Sequence, residues 1–333
     1  YALARNRLPV TYVCDADLDG GVLGGFKVFV LANAWSISAR GARNVEKFVE
    51  AGGGVVATYL SSVMDQDGNM REELALSDVL GVEYCGVVEL PWSYVRISRR
   101  HGVTEGLREG QLVLWGDFDR EFVRSRVPEG AAFHARVELR EGARALAYVV
   151  EPLSEFGYEY ENGRSPPPAG STTSSPAIVA RESLRVAYFS GQLGRLYWRT
   201  GMPDLERLIL NSIKWAGGDP PVEVEGPGVL QVEAYERSGQ LIIHLLNLTY
   251  EGRTVVRGST ALARDWASTV ESVHPPRRVV PLSDLKISLR GFEISRARSA
   301  LAEREYEVVR EGERAEVEVP RIDEYEVLVL DLR

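Results

Sequence analysis

Two successive rhythms of apolar residues organise the stretch from Trp35 to Ser62, WSISARGARNVEKFVEAGGGVVATYLSS. Ala42, Val45, Phe48 and Val49 recur at three- and four-residue spacing, which predicts a helix with one buried stripe and with Arg40, Arg43, Asn44 and Glu46 turned to water. Ser38 stands where an N-cap oxygen can accept from free first-turn amides, and Gly52 to Gly54 can take the left-handed geometry that ends a helix. The apolar runs Val55 to Ala57 and Phe26 to Leu31 have the texture of parallel strands covered on both faces. Strand, helix, glycine stop and strand together predict a right-handed crossover unit.

The same reading extends outwards. Pro9 to Cys14 reads as a strand, Asp15 to Gly25 as a loop and Glu72 to Leu80 as a short helix stopped by Gly81. From Val82 to Val150 short strand-like runs alternate with glycine and charged turns, which predicts a β-rich insertion or sheet edge. Glu161 to Pro176 holds three consecutive prolines and a Ser/Thr cluster, the composition of a mobile surface loop. Ala177 to Ala180 and Leu184 to Phe189 return to strands. A closing helix follows with Leu205, Leu208, Ile209, Ile213 and Ala216 in its stripe, Asp204 as cap and Gly217-Gly218 as stop.

Asp219-Pro220-Pro221 marks a boundary, after which the period changes to strict alternation in VEVEG, VLQVEAYE, LIIHLLNLT, LKISLR, AEVEVP and EYEVLVLDL. The expected organisation is therefore a doubly wound α/β domain over residues 1–218 and a small antiparallel β-sandwich over residues 219–333. The opening YALARNR reads as the last turns of a helix whose beginning is absent, so we expect a fragment of a longer protein.

At 333 residues the chain is long enough for two cores. Its net charge of -9 and the lack of a basic stripe argue against a nucleic-acid partner. Cys14 and Cys85 supply neither a disulfide framework nor a metal cluster, and Cys14 reads as a small buried hydrophobe. No run has the length of a membrane span and no signal peptide opens the chain, which leads us to expect a cytoplasmic protein.

Three segments carry a resemblance. DADLDGGVLGGFKVFVLANAWSISARGARNVEKFVEAGGGVVATYLSSVMDQDG, then RVAYFSGQLGRLYWRTGMPDLERLILNSIKWAGGDPPVEVEGPG, then HLLNLT, resemble the region that follows the catalytic barrel in family-42-type β-galactosidases and related glycoside hydrolases. The resemblance runs from about Leu8 to Leu332. It implies the so-called trimerisation domain, with a flavodoxin-like, class I glutamine-amidotransferase-like parallel sheet, and then a β-sandwich. It also implies a homo-oligomer, with trimer as the expected state, in which the barrel holds the catalytic carboxylates and this region assembles subunits and shapes the rim of the site.

An amidotransferase-type nucleophile belongs on the sharp turn after a strand, here Thr58 to Ser62, which has no cysteine and no G-x-S-x-G. Ser61 and Ser62 read more simply as turn-capping serines. Asp15, Asp17 and Asn33, with those serines, form a candidate rim at the strand ends, where open α/β sheets bind ligands. Asp65 to Asn69 reads as a turn because its glycine is misplaced for a calcium loop. His244 and Asn247 interrupt an apolar strand and are expected to anchor the sandwich to the α/β domain. Tyr197, Trp198 and Arg199 have the composition of a subunit interface or of a sugar-stacking surface.

The reading is thus a non-catalytic assembly region of a glycoside hydrolase, with no catalytic residue, cofactor or metal of its own. Two rivals stay open: a stand-alone glycoside hydrolase working near Asp17, Asn33 and Ser61, and a carbohydrate-binding module working through Trp198.

Overall fold

In the computed structural model the organising helix forms as its spacing dictates. Helix α3 (Ala39–Glu50) starts where Ser38 Oγ accepts from the Gly41 amide at 2.8 Å, and it buries Ala42, Val45, Phe48 and Val49. It stops because Gly52 turns left-handed at φ +92° and the Gly53 amide returns to the Phe48 carbonyl at 2.9 Å. The three glycines have separate reasons. A Cβ on Gly53 would lie 2.3 Å from the Phe48 ring, and one on Gly54 would lie 2.5 Å from the carbonyl oxygen of Ala216. That approach sets strand β2 (Gly54–Thr58), buried at all five positions, against the C-terminal end of a later helix.

The structure describes residues 2–90, 92–116, 134–154, 166–251, 255–257, 271–273 and 278–333. Contacts divide the chain into two units, Val13–Gly218 and Tyr1–Tyr12 with Asp219–Arg333.

Among its described residues the first unit carries one seven-stranded sheet and one strand pair. The sheet strands are β1 (Val28–Leu31), β2, β4 (Tyr94–Ile97), β5 (Leu112–Leu114), β7 (Arg144–Pro152), β8 (Ala169–Arg181) and β9 (Val186–Phe189), in the order β1-β2-β9-β8-β7-β4-β5. Strands β3 (Val82–Val88) and β6 (His134–Leu139) form the separate pair. Only β1, β2 and β9 run parallel; the remaining pairings are antiparallel, so the sheet is mixed where a parallel one was expected. The β-rich stretch from Val82 onwards supplies much of that antiparallel half. Helix α2 (Asp15–Gly20) lies against α3, the short α4 (Ser77–Leu80) precedes β3, and α5 (Leu193–Thr200) and α6 (Pro203–Gly217) follow β9.

Several expectations change here. Pro9 to Cys14 is irregular backbone: Pro9 lacks a donor, among the described residues no strand pairs with the segment, and Tyr12 is exposed. The loop expected at Asp15 to Gly25 is α2 followed by a 3-10 helix, and the helix expected from Glu72 is reduced to α4. Ala169 to Pro176, read as mobile loop, is the first part of β8. It pairs with β7 through repeated register shifts around Tyr148 and Val150, the irregularity that admits Pro176 to a ladder. Residues 161–165 of that expected loop lie outside the described residues, as do Trp266 and His274. Asp204 does not cap α6: Met202 is the N-cap and Pro203 takes the first turn, while Asp204 Oδ2 accepts from Gln111 Nε2 at 3.0 Å.

The second unit is two antiparallel sheets around a shared core. One has the order β10 (Val222–Glu225), β17 (Leu282–Arg290), β21 (Arg314–Ile322), β20 (Val308–Glu311). The other runs β11 (Leu230–Arg237), β12 (Gln240–Asn247), β22 (Tyr325–Leu332), β18 (Ile294–Ser299), β19 (Glu305–Tyr306). Two short pairs, β13 (Tyr250–Glu251) with β16 (Arg278–Val279) and β14 (Val255–Arg257) with β15 (Glu271–Val273), complete it. Val222, Ile287 and Val317 from one sheet meet Leu230, Ile243 and Leu328 from the other. The first twelve residues, assigned by sequence to the α/β domain, group with this unit. Helix α1 (Ala2–Arg5) packs on β11, and the Arg7 guanidinium donates to the carbonyls of Val224, Gly226, Pro227 and Gly228. That explains the VEVEGPG run physically, since four carbonyls turned onto one cation require a tight, glycine-bearing turn.

The polar pair of β12 also resolves within this unit. Asn247 is buried, and its Nδ2 donates to the carbonyls of Val280 at 2.8 Å and Asp323 at 2.7 Å. The anchoring role expected of Asn247 is thus internal to the β unit, and His244 points to the outer face of its sheet beside Tyr325.

The Gly54 packing yields a stability prediction. Gly54→Ala should lower urea-unfolding stability by about 1–3 kcal/mol, the usual cost of forcing an extra carbon into a filled site. Gly20→Ala, where nothing lies within 4 Å, should stay within about 0.5 kcal/mol of the parent. A Gly54→Ala midpoint equal to the parent's would contradict the close approach to Ala216.

Candidate functional site

The turn after β2 is the sharpest feature of the α/β unit. Two of its non-glycine residues are left-handed, Tyr59 at φ +51° and Ser62 at φ +71°, and such conformations need support from their surroundings. Here the support is hydrogen bonding. Ser61 is fully buried; its Oγ reaches the carbonyls of Thr58 at 2.7 Å and Leu31 at 2.9 Å and accepts from the Ala34 amide at 3.2 Å. One hydroxyl thereby ties the end of β1 to the end of β2. Ser62, also buried, accepts from the Leu76 amide at 3.2 Å and sends its own amide to the Ala34 carbonyl at 2.7 Å. Neither serine presents a free lone pair to solvent.

Tyr59 closes the turn from the inside. Its carbonyl accepts from the Tyr188 hydroxyl at 2.7 Å, its amide donates to the Phe189 carbonyl, and its ring meets Trp35 edge-on at 6.4 Å. Burial raises the pKa of both phenols.

Asn33 and Asp17 of the expected rim are each held by a neighbouring residue. Asn33 is left-handed at φ +57° and accepts from Trp35 Nε1 at 2.6 Å. Asp15 and Asp17 do not end a strand; both are exposed and open α2. Asp17 Oδ2 accepts from the Cys14 amide at 3.2 Å and from Cys14 Sγ at 3.0 Å. Cys14 is exposed rather than buried, and its thiol donates to the Asp17 carboxylate. Those two bonds, the thiol's first, hold the Asp17 carboxyl below the ordinary carboxylate range. Asp19 accepts from Ser38 Oγ, and Asn44 Nδ2 donates to the carbonyls of Leu18 at 2.8 Å and Asp19 at 3.1 Å. Asp19 and Asn44 therefore join α2 to α3.

Asp65 closes its turn by accepting from the amides of Asp67 and Asn69, both at 2.9 Å. Among the described residues no three His, Cys, Asp or Glu side chains stand together as metal ligands.

The Tyr197-Trp198-Arg199 triplet splits across α5. Tyr197 points inwards, donating to Glu206 Oε1 at 2.8 Å, whereas Trp198 is 55% exposed.

Sequence reasoning passed over the turn after β9. Ser190 is buried and its hydroxyl has no hydrogen-bond partner among the described residues. Gly191 follows because the Trp115 indole nitrogen lies 1.7 Å from where a Cβ would stand. Strand–Ser–Gly–Gln–helix was the available signal, but the hydroxyl is closed off from solvent.

No helix among the described residues is long and apolar enough to cross a membrane. No protein-family model matches the sequence, and no curated protein does. Solved structures share the fold. An α-L-fucosidase isoenzyme 2 from Paenibacillus thiaminolyticus aligns with a TM-score of 0.69 and 18% identity, covering 100% of this chain and 44% of its own. A β-galactosidase from Bacillus circulans sp. alkalophilus aligns with a TM-score of 0.55 and 13% identity, over 99% of this chain and 36% of its own. A β-galactosidase from Rahnella sp. R3 gives 0.51 and 13%, over 98% and 35%. The chain thus spans less than half the length of each of these structures.

The geometry of α2 makes a titration prediction. The Asp17 carboxyl carbon, followed by NMR, should titrate below about 3.9, and Cys14→Ala should move its midpoint upwards. A depressed folded pKa means that the favourable contribution is present above the ordinary value and is lost as the pH falls through the folded one. A midpoint at or above the ordinary value in the unsubstituted chain would contradict the thiol–carboxylate contact.

Proposed function

We propose that this chain is a non-catalytic accessory region of a glycoside hydrolase, of the trimerisation type, in which an amidotransferase-like α/β unit and a β-sandwich assemble copies of the parent enzyme in the cytoplasm. The observation that carries this reading is that nearly the whole chain shares its fold with less than half of each of several glycosidases, as an accessory region would. The locked strand-end turn supports it. Glycosidic cleavage needs two carboxyls about 5–9.5 Å apart with different pKa values, and of the acidic residues expected at the rim Asp17 is engaged by Cys14 at the start of α2.

The assembly surface we assign is the outward side of α5, with Trp198 as its anchor and Arg199 beside it. A tryptophan more than half exposed on a helix whose other face is buried is the side chain that most often dominates an interface. The exposed indole also suits a sugar face, which keeps carbohydrate contact as a second reading of the same residue.

Size-exclusion chromatography with light scattering tests the assembly role. The chain should run above the monomer mass, at about three copies if the trimer holds, and Trp198→Ala should shift it towards monomer by weakening association at least about tenfold. A strictly monomeric species at high concentration would overturn it.

A further inference from the structure

The outer face of β11, β12 and β22 carries a group of side chains used neither by the core nor by the assembly reading. Alternation turns Leu230 and Val232 of β11 inwards and Gln231, Glu233 and Tyr235 outwards. On β12, Ile243 and Leu245 face the core while His244 and Leu246 face out. The register sets Glu233 opposite His244, Gln231 opposite Leu246, and Leu246 opposite Tyr325 of β22. Together they line a shallow depression of about 300 Å³, at the small end of the range for ligand sites.

Its polar groups are already ordered. The Tyr235 hydroxyl donates to Glu233 Oε2 at 2.6 Å and Gln231 Nε2 donates to Glu233 Oε1 at 2.9 Å. The Tyr325 hydroxyl shares a hydrogen bond with His244 Nδ1. The rings form a floor and a wall: His244 lies side by side and nearly parallel with Tyr325, centroids 6.0 Å apart at 25°, and Tyr235 stands across His244 at 5.7 Å and 82°. Both tyrosines stay accessible, at 47% and 43% of their surface.

We propose that this depression is a carbohydrate-binding site that takes a neutral pyranoside on the Tyr325–His244 platform. A sugar ring offers one apolar C–H face and an edge of hydroxyls that both donate and accept. The platform meets the first, while the carboxylate of Glu233 and the amide of Gln231 meet the second. The lining excludes other classes. A phosphate or nucleic acid would face a carboxylate with no Lys or Arg in the lining to offset it. A purely apolar partner would strand Glu233 and Gln231 without water. This site lies on the β unit, and its existence does not depend on the assembly role of Trp198.

Calorimetry on the full chain with the methyl pyranosides of galactose, fucose, glucose and xylose tests it, with tetramethylammonium as a cationic competitor. At least one glycoside should bind saturably with a Kd on the order of 1 mM. Tyr235→Ala and Tyr325→Ala should each weaken binding at least about tenfold, and Tyr325→Phe, which keeps the ring, by less. Light scattering on the same variants should give the parent's mass, which separates failure here from failure of the assembly role. Absence of saturable binding to all four glycosides, binding undiminished in both alanine variants, or displacement by tetramethylammonium would overturn the proposal.

Discussion

Two missing side-chain carbons hold the α/β unit together. Gly53 and Gly54 let the Phe48 ring and the carbonyl end of α6 come within distances that no Cβ would allow, and β2 is consequently covered over its whole length. A fully covered strand cannot let its last residues drift. The chain leaves β2 through a left-handed tyrosine and re-enters packed structure within four residues, so its hydroxyls end up inside the turn. Ser61 lies inside this turn, its proton shared between the Leu31 and Thr58 carbonyls and a lone pair taken by the Ala34 amide. Packing at one end of the strand and closure of the turn at the other are parts of one arrangement.

Legibility followed the range of the interactions. Helix α3, its Ser38 cap, its glycine stop and the stripe of α6 were readable because their signals lie within a turn or two of the structure they specify. The separate necessities of Gly53 and Gly54 were not, since the partner of Gly54 is Ala216, far along the chain. The first residues misled for the same reason: PVTYVC has the composition of a strand, yet the neighbouring Arg7 is fixed by carbonyls near residue 226. Composition misled at β8, where a Ser/Thr-rich, proline-containing segment becomes a ladder through register shifts supplied by its partner.

The candidate sites divide likewise. Asp15 and Asp17 were visible as an acidic cluster, but a thiol three residues away that donates to the Asp17 carboxylate is a geometric fact. His244 was visible as an anomaly in an apolar strand. Its companions Glu233, Tyr235 and Tyr325 were not, because cross-strand register assembles them; the outward alternation of Gln231, Glu233 and Tyr235 was the one local hint. Placing His244 on the outer face of its sheet turns an expected structural anchor into part of an accessible surface.

In the proposed role this chain supports chemistry carried out by other residues of a parent glycosidase. Turnover of a panel of nitrophenyl glycosides by the purified chain tests that most directly. We predict release of nitrophenol at the rate of buffer alone for every member. Hydrolysis well above that rate, lost in Asp17→Asn or Ser61→Ala variants that still fold, would contradict it.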